Sequence, residues 1–174
     1  MLPLPVILLL EGISFVVLFG VVSLLKREGL SSRFAIESAI LTLLVSGIAF
    51  LAGIQVHPVL FLVILYLATM RVRILVDIGN IFSKRAQFNL ADIFYTLAAN
   101  LWPDETGHLI LKVNQATSLL QRGEFDKAIA AFGEVIQQAK TGYLGVKYEA
   151  AAHYNLGVAY LRKNMMARAI IAFN

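Results

Sequence analysis

Residues 153–173 read HYNLGVAYLRKNMMARAIIAF, and the order of large and small side chains along them decides the fold. Leu156 and Tyr160 stand four apart, and Gly157 and Tyr160 three apart, the spacing of neighbours on one helical face. Lys163-Asn164-Met165 interrupts that helix, because Asn accepts the backbone conformation at which helices stop. Ala169 and Phe173 then stand four apart on a second helix. Gly157 and Ala169 are small where the two helices of a hairpin would cross. Tyr160 and Phe173 are large enough to fill the layer between one hairpin and the next. The stretch reads as one antiparallel helical hairpin, a unit that buries its apolar face only by stacking on neighbours.

The same order recurs twice upstream. Lys112-x-x-Gln115-Ala116-x-x-Leu119 precedes Ala128-x-x-x-Phe132, and Leu75-x-x-Ile78-Gly79-x-x-Phe82 precedes Ala91-x-x-x-Tyr95 and a closing Pro103. The small residue of the first helix precedes the alanine of the second by 12 residues in each unit (Gly79 to Ala91, Ala116 to Ala128, Gly157 to Ala169). Arg122-Gly123-Glu124-Phe125 supplies the turn of the middle unit. This pattern resembles the tetratricopeptide repeat family, with its large residue, Leu-Gly, tyrosine, later alanine and aromatic, and closing proline. The resemblance implies an all-α fold, an α-solenoid of hairpins over 71–174, with repeats at about 72–105, 109–142 and 150–174.

The chain departs from that family in three ways. Its units are spaced by 37 residues (Gly79 to Ala116) and 41 (Ala116 to Gly157), against about 34 in the family. The extra residues fall around Thr106-Gly107-His108 and Thr141-Gly142-Tyr143-Leu144-Gly145. Lys112 and Gln115 stand where large apolar residues are usual. The last hairpin is incomplete, ending at Asn174 on a second helix that starts near Met166, without the polar cap a repeat array needs. The reading is that the natural chain continues past Asn174, the alternative being a partner that covers this edge.

The resemblance further implies a concave groove, built from the first helices of successive hairpins, that binds extended peptides or helices. Carried onto this chain, the groove comprises Asp77 and Asn80 from the first unit and Asn114, Thr117 and Gln121 from the second. The third unit contributes Tyr154, Asn155, Val158 and Arg162. Asp77, Asn114 and Asn155 occupy the same place in their units, a row able to pair with a partner's backbone. A basic clamp for a carboxylate is incomplete, with Lys84 and Arg162 alone.

Upstream of the repeats the composition changes. Hydrophobic residues make up 59% of the chain and charged residues 15%, against roughly 25% charged in soluble domains. The apolar residues concentrate in 1–70, which reads as a transmembrane region of three helices at about 5–25, 34–54 and 58–70. The third, Pro58 to Met70, is short and spans if Arg71 and Arg73 snorkel; a shallow hairpin is the alternative. Lys26, Arg27 and Arg33 follow the first stretch, and Arg71, Arg73, Lys84 and Arg85 follow the third. Positive residues collect on the cytoplasmic side, so two crossings joined by Gln55-Val56-His57-Pro58 separate the clusters. The expected placement is an integral protein of a bacterial inner (cytoplasmic) membrane, N-terminus outside and repeats in the cytoplasm. Ala49 and Gly53, with Ser46 and Gly47 nearby, are expected to let another helix approach. From Val59 to Ile78 there is neither Gly nor Pro, which predicts one unbroken helix from about Pro58 to Ser83.

Other functions find little support. There is no cysteine, and His57, His108 and His153 are scattered, so no metal site or cofactor is expected. The net charge of +4 comes from 106–174, where eight basic residues face four acidic ones without clustering; nucleic-acid binding needs a clustered footprint. Glu11 lacks an ionisable partner in the other spans, which argues against a proton relay. Glu37 reads as interfacial. No nucleophile elbow, phosphate loop or carboxylate pair occurs, so neither an enzyme nor a small-molecule substrate is expected. The sequence reads as a membrane-anchored adaptor or scaffold for protein partners, the alternative being a structural or accessory subunit of a larger membrane complex.

Overall fold

A computed structural model describes residues 2–27, 31–139 and 146–174, and every regular element among them is an α-helix. The helices are α1 (Leu4–Leu25), α2 (Ser32–Ala52), α3 (Pro58–Thr69), α4 (Arg71–Lys84), α5 (Phe88–Asn100), α6 (Glu105–Gln121), α7 (Phe125–Ala139), α8 (Val146–Arg162) and α9 (Met166–Phe173). The chain divides into two compact units, one holding α1–α3 and Arg71, the other holding the rest of α4 and α5–α9.

In the first unit, α1 and α2 are long and apolar enough to cross a membrane. Ser31 caps α2 by accepting from the Phe34 amide, and Gly53 ends it at φ +65°. This unit buries Leu8, Phe15, Phe61 and Leu65 but leaves many other large apolar side chains outside. Leu24, Leu25, Leu43, Phe50 and Leu51 are exposed, whereas Ser38, Thr42, Ser46 and Ala49 are buried along one face of α2. Gly12 of α1 lies against Thr42, and any side chain there would run into the threonine. Small residues let two backbones approach where lipid, not water, surrounds them. Of the four small residues anticipated on α2, Ser46 and Ala49 are buried, whereas Gly47 and Gly53 face open space.

The unbroken helix expected from Pro58 to Ser83 does not form. Met70 leaves the helical conformation at φ −100° and ψ 10°, and the chain restarts a helix at Arg71. Two side chains bond to carbonyls of the last turn: Thr69 Oγ1 donates to the Leu65 carbonyl and Arg71 Nη1 to that of Ala68, both at 2.7 Å. Arg71 does not reach outward as a snorkelling residue would. Its guanidinium forks onto Glu37, at 2.6 and 3.1 Å, while Arg33 approaches the same carboxylate at 2.8 Å. A planar guanidinium matches a carboxylate in this two-pronged way, so Glu37 ties the start of α2 to the end of α3. With 12 residues, α3 is about 18 Å long.

The second unit stacks three hairpins, α4–α5, α6–α7 and α8–α9. Gly79 and Gly157 lie where their hairpins cross: a methyl at Gly79 would stand 2.6 Å from the Tyr95 ring, and one at Gly157 would overlap that of Phe173. Ala91, Ala116, Ala128 and Ala169 are completely buried, as is Phe132. One apolar cluster joins Val72, Val76, Ala91, Tyr95 and Ala98 to Ile110 and Leu111 of α6. A second joins Leu109, Val113 and Ala116 of α6 to Phe132, Val135 and Ala152. Helix α6 therefore buries two faces, which makes the stack continuous.

All three hairpins close with the same turn. Ala86, Gly123 and Asn164 adopt the left-handed conformation, at φ +56°, +82° and +58°. The following amides, of Gln87, Glu124 and Met165, donate to the carbonyls of Phe82, Leu119 and Tyr160, the pattern of a Schellman helix stop. The Thr106-Gly107-His108 segment, expected between units, forms the first turn of α6, because the Asp104 side chain accepts from the Gly107 amide at 2.6 Å and starts the helix there. Thr141 to Gly145 lie outside the described residues.

Candidate partner-binding site

The first helices of the hairpins, α4, α6 and α8, carry the predicted groove residues, and two side-chain bonds join these helices in sequence. Ser83 Oγ of α4 donates to Gln121 Oε1 of α6 at 2.7 Å. Asn155 Nδ2 of α8 donates to Thr117 Oγ1 of α6 at 3.4 Å, and that hydroxyl in turn donates to the Val113 carbonyl at 2.7 Å. Gln121, Thr117 and Asn155 thus stand along the contacts between adjacent first helices.

The remaining predicted residues behave differently. Asn80 is held inside its own hairpin, its Oδ1 accepting from the Tyr95 hydroxyl at 2.8 Å. Burial pushes that hydroxyl above its ordinary value of 10.0, with Asp92 adding in the same direction and Ser83 and Arg122 opposing. Asn114 donates to the carbonyl of Ile110 at 2.7 Å, which folds its amide onto its own helix. Tyr154 is 63% exposed and its ring leans on Phe173, 5.9 Å away, toward the second helix of its hairpin. Val158 is half-buried, whereas Asp77 and Arg162 are exposed. The row of three equivalent polar residues is present, but the Asn114 and Asn155 amides already donate within the array.

A second set of contacts, not anticipated from the sequence, latches successive hairpins together. Arg122 Nη2 stands 2.6 Å from Asp92 Oδ1 and donates to the Phe88 carbonyl at 3.1 Å, with its guanidinium carbon 5.0 Å from the Phe88 ring centroid. Lys163 reaches Asp126 of the preceding hairpin in the same manner. Within the second hairpin, Lys112, out of place in the apolar pattern, faces Glu134 at 3.4 Å. Asp92, Lys112, Gln115, Arg122 and Glu134, with Leu119 and Ala131, line a cleft of about 330 Å³ between the first two hairpins. The signal for the latch was legible in the repeat alignment: a basic residue stands six positions after the small residue in every unit, at Arg85, Arg122 and Lys163.

Among the described residues no cluster of His, Asp and Glu has the grouping needed to hold a metal ion. No curated protein and no solved structure matches the chain. A family model described as tetratricopeptide repeat matches residues 113–174, which takes in most of α6 and all of α7, α8 and α9. The first hairpin lies outside that match and shares the small crossing residue, the buried alanine and the turn of the other two. Over its second and third hairpins, the chain is thus similar to the tetratricopeptide repeat family.

Proposed function

We propose that this protein is a membrane-anchored adaptor whose repeats recruit a protein partner through the face formed by α4, α6 and α8. The observation that carries this reading is the pair of bonds, Ser83 to Gln121 and Asn155 to Thr117, that aligns the three first helices side by side. Tetratricopeptide repeats create extended binding surfaces by such stacking. Around these fixed side chains, Asp77, Asn114, Val158, Arg162 and Tyr154 supply the rest of the recognition surface.

In this proposal α1 and α2 cross the bilayer fully and α3 is a third, shorter crossing, with the N-terminus outside and the repeats in the cytoplasm of a bacterial inner membrane. The charge distribution supports it, since Arg33 and Arg71 meet on Glu37 at one end of the unit. Single cysteines test the topology cleanly in a chain that has none. Gln55→Cys should react with a membrane-impermeant thiol reagent added outside cells, and Gln87→Cys only after lysis; the reverse pattern would overturn the orientation.

The recruiting role is tested with a photo-crosslinking residue at Val158 in native membranes. We expect a soluble partner to be trapped, and Asn155→Asp with Arg162→Glu to lower the yield at least several-fold. Yield indifferent to both substitutions would remove the groove from the proposal. A second reading, a permanent subunit of a membrane complex, is favoured by an apolar groove of about 700 Å³ between α1 and α3, into which Glu11 faces. Its Oε2 is buried without a hydrogen-bond partner. Crosslinks from that groove to one fixed membrane protein that survive purification would favour this second reading.

A further inference from the structure

The first hairpin presents an open edge whose chemistry differs from that of a capped repeat. A repeat array needs a polar outer face at its ends to remain soluble. On α5, however, Leu90, Ile93 and Leu97 are 42, 53 and 47% exposed, and their spacing of three and four places them in one stripe. The charge on this helix does not interrupt the stripe, because Asp92 is held by Arg122 of the following hairpin. Trp102, just beyond the end of α5, is 78% exposed and adopts a left-handed backbone at φ +47°. A turn alone would favour Gly or Asn at such a position, so the turn does not explain a tryptophan there.

The repeat register supplies the second observation. Arg122 and Lys163 occupy the same place in their hairpins, and each reaches back to a carboxylate of the hairpin before it. Arg85 occupies that place in the first hairpin, which has no hairpin before it. It is exposed, beside exposed Lys84, and among the described residues it meets no carboxylate. The latch cation, three residues before α5, is therefore available to an anion close to the helix that carries the apolar stripe.

We propose that this edge of the first hairpin rests on an anionic bilayer surface, with Leu90, Ile93 and Leu97 entering the interface, Trp102 at headgroup level, and Arg85 and Lys84 facing lipid phosphates. An apolar helical stripe flanked by basic residues is the pattern of an interfacial helix. Tryptophan concentrates at membrane interfaces, and anionic lipid attracts nearby Lys and Arg. The proposal rests on the membrane anchoring proposed above. The lipid surface then serves as the cap that the array lacks.

Trp102 is the sole tryptophan in the chain, so its fluorescence reports on this edge directly. The full chain is reconstituted in phosphatidylglycerol-containing vesicles made with ordinary or acyl-brominated lipid. We expect bromolipid to quench the emission, as suits a residue at the interface, and aqueous iodide to have little effect. Ile93→Asp, at an exposed position, and Arg85→Glu should each restore iodide quenching with unchanged helix content. Quenching by iodide alone would place the edge in water, and quenching by neither agent would mean that protein covers it; both overturn the proposal. Carbonate washing separates this from the anchoring. Release of the chain from native membranes would refute the anchor itself, whereas a retained chain with a water-exposed Trp102 would refute only the docked edge.

Discussion

The two units of this chain differ in how much large apolar surface they leave outside and in how closely their helices approach through small residues. In α1–α3, Gly12 lies on Thr42, and Ser38 and Ser46 are buried beside Leu8, Phe61 and Leu65, while many more leucines cover the outside. In the repeats the interior is aromatic and aliphatic, with Tyr95, Phe132 and Val135 at 1% exposure or less. Both units are helical, so helix formation does not distinguish them. The distinction is what each helix gains by leaving its solvent. In water, burying large apolar side chains drives association. In lipid that drive vanishes, and close backbone approach and hydrogen bonds remain.

This contrast can be broken from either side. The largest effect is expected for Phe132→Ala, which empties the centre of the repeats at a cost of about 3–5 kcal/mol. Limited trypsin treatment should then cut rapidly after Lys127 and Lys147 while α1–α3 stay in the membrane fraction. Loss of membrane retention would show that the units are not independent. Gly12→Val attacks the other side by driving α1 and α2 apart, at about 1–3 kcal/mol for overpacking. Detergent-solubilised protein should unfold at a lower temperature, with the trypsin sensitivity of the repeats unchanged.

Smaller substitutions sharpen the comparison within the repeats. Tyr95→Phe removes the bond to Asn80, and we expect a loss of about 1 kcal/mol, the usual net value of one hydrogen bond. The fold raises the tyrosine above 10.0, so it favours the neutral phenol. That contribution is whole below pH 10 and disappears as the pH climbs through the raised value. The stability difference between wild type and Tyr95→Phe, followed by thermal melts, should therefore narrow only above pH 10. Ala86→Gly should stabilise by about 0.5–1 kcal/mol, because it relieves a left-handed alanine. A destabilising result would mean that the methyl makes a contact outweighing the backbone strain.

Much of this architecture was legible along the chain. The recurring interval between Gly79 and Ala91, Ala116 and Ala128, and Gly157 and Ala169 located three hairpins and their crossing points. Two turns were readable because Gly123 and Asn164 are ordinary helix stops. The third was not, because alanine at 86 carries no such signal and takes the left-handed conformation only because the hairpin demands it. The groove was legible as a set of positions, yet the bonding state of Asn80, Asn114 and Asn155 was not. A polar side chain on a helix face reads alike whether it awaits a partner or is already bonded to its neighbour.

The sequence by itself determined the helical class, the two long apolar segments and the repeat register, because all three are periodic properties of a single strand of residues. Tertiary structure alone decided the break at Met70 and the pairing of Glu37 with Arg71, residues 34 positions apart. It likewise made Arg122 and Lys163 latches and left Arg85 without a preceding hairpin to grip. These outcomes depend on which side chains meet across helices. Nothing local to a charged residue says whether the space opposite it holds a carboxylate, a carbonyl or an open edge.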